Sequence, residues 1–387
     1  MTATLTSRKT RMHRPSLSCP ALIIAGVSLL QPVGISAIAA EVEPYTLHYP
    51  VADQELGETP YPDEELLAKR IASAIEKSIR EKYRTGDARR DAHPKAHGCV
   101  KATLHVDEKL PDTLAQGIFI PGKTYQAWIR FSNGSQDPNR PDSKGDARGM
   151  AIKVMGVAGA KLLESDSNAT TQDFILINQP VFFVNDPKRY LAFIEKSTDG
   201  SFFGKVTIPF SLGLRGTLIA FETTRSRIAN PLSARYWSMV PYQLGVGTRR
   251  KAIKLSAKPC WIETQTLPKS PANDYLRDAL RSTLQSRDSC MELLVQPRTS
   301  DSMSIENSQV EWKEAQAPFY KVASILIPQQ NFDTDEQNRF CENLSFTPWH
   351  ALPEHRPLGV TNRLRKTIYE RISGVRHEMN SVERREP

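Results

Sequence analysis

The chain has 387 residues, 39% of them apolar and 24% charged, an ordinary composition for a folded protein with enough apolar material for a sizeable core. Its length exceeds the usual single domain without forcing a division into two. Four of the 51 basic residues and none of the 43 acidic ones fall in the first forty positions, so the formal charge of +8 drops to +4 for the remainder. That is too mild to point to nucleic acid.

Residues 1–40 read as a signal peptide. Arg8, Lys9, Arg11 and Arg14 form a positive start, residues 21–30 a short apolar run, and residues 36–40 a small-residue cleavage region. The apolar run is too short to span a bilayer comfortably, so no stable membrane span is expected after cleavage. The expected location is periplasmic or secreted, which permits disulfides. Cys99, Cys260, Cys290 and Cys341 remain, with three pairings open.

Residues 41–62, with four prolines and several acids, form an extended arm. Residues 64–84 read as a helix, since Leu67, Ile71, Ile75 and Ile79 recur every four positions with Asp63 as N-cap. Period-two alternation predicts a strand at 100–106. Further strands are expected at 125–131, 150–155, 174–177, 242–246, 252–255, 291–295 and 320–327. Eight strands without regular intervening helices favour an α+β protein with an antiparallel sheet or a closed barrel over a parallel α/β fold, and eight strands can enclose a small cavity. Residues 187–240 mix helix and loop, 265–287 read as helix, and 346–360 as an irregular loop rich in Pro and His. A C-terminal helix covers 361–376, its end interrupted by Gly374.

Four groups of residues could carry chemistry. Residues 90–99 hold His93, His97 and Cys99, but the spacing is weak for zinc and Pro94 breaks any helix through both histidines. Arg130-Phe131-Ser132, with Arg148 beyond it, supplies cations suited either to ion pairs with Asp137, Asp142 or Asp146 or to clamping carboxylates. Residues 174–183 form an apolar run carrying the polar Asn178 and an aromatic pair. Arg365 and Tyr369 share a helix face four residues apart, where a cation favours the phenolate. Each group alone has a bland structural explanation.

In this order the segments resemble the haem catalase superfamily, most of all its compact branch of catalase-related peroxidases. The likeness runs from His93 to Tyr369 and is strongest at its two ends. Arg90, His93 and Lys95 match the family's distal segment, with His97 as the rival to His93. Arg130-Phe131-Ser132, residues 148–151 and the run from Asn178 to Pro187 match further family steps. Arg365 and Tyr369 match the proximal pair. The resemblance implies a catalase-like, antiparallel eight-stranded β-barrel enclosing haem b within residues 63–387, with flanking helices. It implies Tyr369 as the iron ligand, and Arg90, Arg130, Phe182 and Arg365 as residues around the cofactor. His93, Asn178 and Ser132 become the catalytic residues: base, peroxide-orienting amide and support for the base.

The implied activity is detoxification of hydrogen peroxide or organic hydroperoxides. Two alternatives share the fold: a lipid hydroperoxide isomerase of the allene oxide synthase type, and an exported haem-binding protein without enzymatic activity. The short mature chain leaves little beyond Tyr369, which argues against an interlaced tetramer and leaves a homodimer open.

Overall fold

The structure is a computed structural model that describes residues 47–84, 87–199, 202–262 and 266–387. The expected signal peptide and the first residues of the arm lie outside them. From residue 47 to 62 the chain is extended except for one turn at Gln54–Leu56. Helix α1, Glu64–Lys82, buries the predicted stripe of Leu67, Ile71, Ile75 and Ile79. Glu64 and Glu65 in its first turn and Arg80 and Lys82 in its last suit the helix dipole. Asp63 is not the expected cap. Its backbone is left-handed at φ 57°, and its side chain makes no capping bond.

Four antiparallel strands follow: β1 (Ala96–Val106), β2 (Thr124–Asn133), β3 (Arg148–Met155) and β4 (Thr171–Ile177). Helix α2 (Pro187–Thr198) starts at Asp186, whose carboxylate accepts from the Arg189 amide. Helix α3 (Phe202–Arg225) breaks at Gly213, where φ is 70° and ψ 174°. The chain re-enters the sheet as β5 (Tyr236–Trp237), β6 (Tyr242–Leu244) and β7 (Lys251–Pro259). Helix α4 (Tyr275–Ser286) leads into β8 (Ser289–Pro297) and β9 (Tyr320–Ile327). Two helices finish the fold: α5 (Asp335–Asn343) and α6 (Val360–Met379).

The sheet runs β5-β4-β3-β2-β1-β9-β8-β7-β6, and β5 also pairs with β7. That second pairing closes eight strands into a barrel and leaves β6 outside the ring, on the free edge of β7. The expected count of eight is therefore right, but its membership differs. Residues 242–246 were expected in the ring, whereas Tyr236–Trp237 closes it. Two residues are too few to display an alternation. Along β1, Val100, Ala102, Leu104 and Val106 point into the barrel core while Lys101 and His105 are exposed. Phe119, Phe131, Phe174, Tyr236 and Leu255 complete that core.

A second apolar cluster joins α1, α2 and α6 through Ile71, Ile75, Leu191, Leu364 and Ile368. Gly374 does not end α6, which continues to Met379. Its last turn is anchored from outside, because Arg376 and His377 donate to carbonyls of residues 342–344. Disulfides join Cys99 of β1 to Cys341 of α5, and Cys260 to Cys290.

Candidate functional site

His93 sits just before β1 with a left-handed backbone, φ 60°. Its conformation is held at both ends: the carbonyl accepts from Arg130 Nη2 at 2.8 Å, and ring Nδ1 lies 3.0 Å from Ser132 Oγ. Gly149 of β3 makes this approach possible. A Cβ there would lie 2.6 Å from His93 Nδ1 and 2.7 Å from Ser132 Oγ. Burial, then the charges of Arg130, Arg365 and Arg90, push the His93 pKa down to about 4. The imidazole is thus neutral near pH 7, with Nδ1 engaged and Nε2 the nitrogen left to act.

His97 has a different setting. Its Nε2 meets Asn133 Oδ1 at 2.8 Å, and Asp142 lies on its other side at 3.7 Å. Arg148 joins the same network, donating to Asn133 Oδ1 and to the carbonyls of Asp142 and Lys144. His97 and Arg148 therefore brace the base of β1 and β3. Cys99 is disulfide-bonded, so it cannot join the two histidines in a zinc site.

Beside His93 lies a cluster of buried guanidiniums. Arg90 Nη1 is 2.9 Å from Glu342 Oε1, and Arg90 Nη2 donates to the carbonyls of Cys341 and Leu344. Arg130 lies 4.0 Å from the other oxygen of Glu342. Arg376 donates to the carbonyls of Glu342 and Leu344. Burial, then repulsion from Arg90, pushes both Arg130 and Arg376 down to about 9. Although burial opposes ionisation, the three cations hold Glu342 below the ordinary carboxylate range. One carboxylate thus faces three guanidiniums, and Arg130 Nε has no hydrogen-bond partner among the described residues. A cluster so unbalanced suits a further anion of double charge.

Helix α6 also supplies Arg365 and Tyr369. Arg365 is buried, donates to Asn362 Oδ1 at 3.3 Å and stacks 5.3 Å above the Phe182 ring. Tyr369, one turn on, is half-buried, and no residue among those described hydrogen-bonds its hydroxyl. Arg365 and Tyr369 both act electrostatically on Tyr190 and Tyr242. Since Arg365 also acts on His93, the predicted distal and proximal residues share one neighbourhood. Tyr242 is fully buried, with its hydroxyl unpartnered among the described residues. Phe182 packs against Phe183 and edge-on to Tyr190.

Asn178 stands immediately beyond β4. Its Oδ1 accepts from the Arg148 amide at 2.6 Å and its Nδ2 donates to Ser226 Oγ at 2.8 Å. Only one amide N–H remains to meet a substrate. Arg376 and Glu342 escaped the sequence analysis. Arg376 lies eleven residues after Arg365, three helical turns along one face, and that spacing is its sequence signal. Glu342 lies in an unrecognised helix and gave none.

The sequence profile of the Catalase family matches residues 75–200. The match spans His93, Arg130-Phe131-Ser132 and Asn178. Over residues 75–200 the chain is similar to the Catalase family. Catalase A from Saccharomyces cerevisiae superposes with a TM-score of 0.60 at 19% identity, over 88% of this chain and 70% of that one. A fungal catalase gives 0.56 at 18% identity, covering 92% and 70%. A bacterial catalase gives 0.53 at 16% identity, covering 86% and 63%. No curated protein matches the sequence. The superfamily comprises oxidoreductases that act on hydrogen peroxide and generally bind haem.

Proposed function

We propose that this chain is a haem-dependent, catalase-type enzyme of the compact branch that removes hydrogen peroxide or an organic hydroperoxide. The observation that carries the reading is the neutral His93, fixed by Ser132 and near enough to Arg365 of α6 to feel its charge. The residues fit haem b on three counts: the half-buried phenol of Tyr369 is a ligand for ferric iron, the arginine cluster suits two propionates, and Phe182 offers an aromatic face. Haem, bound by Tyr369 and by Arg90, Arg130 and Arg376, would supply the redox-active iron.

The protein's own part is proton handling and positioning. His93 Nε2 takes the proton of one peroxide oxygen and returns it to the other, which leaves as water or an alcohol. Ser132 holds the ring so that Nε2 stays available. The remaining N–H of Asn178 orients the peroxide.

Oxygen evolution from hydrogen peroxide by haem-loaded protein tests the proposal, with His93→Ala as the silent control. Turnover of a fatty-acid hydroperoxide without oxygen release would favour an isomerase instead. A haem spectrum with negligible turnover, unchanged in His93→Ala, would leave a haem-binding protein. The disulfides Cys99–Cys341 and Cys260–Cys290 support an oxidising compartment, in keeping with export to the periplasm or beyond.

A further inference from the structure

Helix α3 carries an apolar stripe that nothing among the described residues covers. Phe210 is 83% exposed and Leu214 82%, with Val206, Leu218 and Phe221 each above 50%. Single exposed leucines are common, but five large apolar side chains along one helix are not. The opposite side is fixed. A Cβ at Gly216 would lie 2.5 Å from the Phe183 carbonyl, and Arg215 donates to the Gln309 carbonyl. The stripe therefore cannot turn inward.

The charges beside the stripe identify its occupant. Arg189 reaches the kink, donating to the Leu212 carbonyl; Arg215 is exposed beside Leu214; Arg225 lies over the Phe221 ring. Glu222 is the acid on the same stretch. Phe and Leu side chains flanked by guanidiniums suit the boundary of an anionic bilayer, where apolar groups enter the acyl region and cations stay at the phosphates. No helix among the described residues is long and apolar enough to cross a membrane, so α3 would lie on the surface.

We infer that α3 docks the protein on an anionic lipid surface. The helix ends against the candidate site, since Ser226 accepts from Asn178 and Gly216 packs under Phe183, the neighbour of Phe182. Resting on the peroxide reading above, the docked enzyme draws its substrates from hydroperoxides of membrane lipids.

The test is co-sedimentation of the full chain with vesicles of phosphatidylcholine, alone or mixed with phosphatidylglycerol. Sedimentation with the mixed vesicles is expected, weakened by salt and on the neutral ones. The double variant Phe210→Ser, Leu214→Ser should reduce it about tenfold or more. Leu326→Ser, a 47% exposed site on β9 away from the stripe, should leave it unchanged. Absence of sedimentation, or equal sedimentation of the double variant, overturns the inference. So does a dimer in solution that the double variant disperses. Loss by the double variant of turnover on vesicle-borne hydroperoxide, with hydrogen peroxide turnover retained, supports the substrate class. Vesicle binding needs no turnover, so it can fail while the peroxide reading stands, and the reverse.

Discussion

Gly149 lies against the imidazole of His93 so closely that any side chain at 149 would overlap ring Nδ1 and the Ser132 hydroxyl. The pairing of β2 with β3 places Gly149 opposite Ser132, so the sheet register itself makes room for the base.

Gly149→Ala should displace the imidazole while leaving the cofactor residues intact. A shift of this kind costs on the order of 100-fold in turnover. Steady-state peroxide consumption alongside the haem spectrum checks this; full activity would show that the ring position is unimportant.

His93→Ala should lower turnover by roughly 10²- to 10⁴-fold, the range for loss of a positioned proton-transfer group. Ser132→Ala, which frees the ring without removing it, should cost less. Equal losses would mean that the hydroxyl does more than support.

Acid should destabilise the fold through buried neutral histidines. Burial pushes His93 down to about 4, and His97 and His355 each to about 3. In the unfolded chain each takes a proton near pH 6.5. Stability present above that pH is therefore lost progressively as pH falls to about 3. His350 works the other way: against its burial, Asp166 and Asp173 raise its pKa. Burial pushes His377 down as well, so the melting temperature should still drop between pH 7 and 4, four sites against one. A flat profile would sink the assignment.

Arg376→Gln removes one of three cations facing Glu342. Haem should dissociate at least about tenfold faster, taking one lost charge-assisted hydrogen bond at its usual strength. Transfer of haem to an apo-globin acceptor measures this. Tyr369→Phe should change the ferric spectrum itself, which Arg376→Gln should not.

Reducing Cys99–Cys341 should lower stability by about 2–5 kcal/mol. It should also loosen the cofactor, because the Cys341 and Leu344 carbonyls that hold Arg90 follow from the same helix. Calorimetry with and without reductant, paired with the haem transfer assay, tests both effects.

Much of this arrangement is legible in the sequence. Leu67, Ile71, Ile75 and Ile79 announce α1, and the alternation in β1 announces the barrel wall. His93 with Ser132, and Arg365 with Tyr369, follow from spacing together with the family resemblance. Other parts are hidden for physical reasons. The strand β5 is too short to show a period, and α5 is too polar to show a stripe. Glu342 matters only because a disulfide and three arginines converge on it from distant segments. The commitment of Asn178 to Arg148 and Ser226 depends on where α3 ends, which no local pattern reports.

The barrel has one weak seam. Ile177 pairs with Trp237, and Tyr236 and Trp237 pair with Ala257 and Ser256, so closure rests on a far shorter ladder than the nine paired positions joining β1 to β2. Amide protons along this seam should exchange with solvent before those of any other barrel strand. The side chains that line it, Ile177, Met239, Val240 and Phe182, border the cofactor residues. Breathing at β5 is thus the cheapest route by which a flat, bulky molecule could enter a cylinder that is otherwise sewn shut.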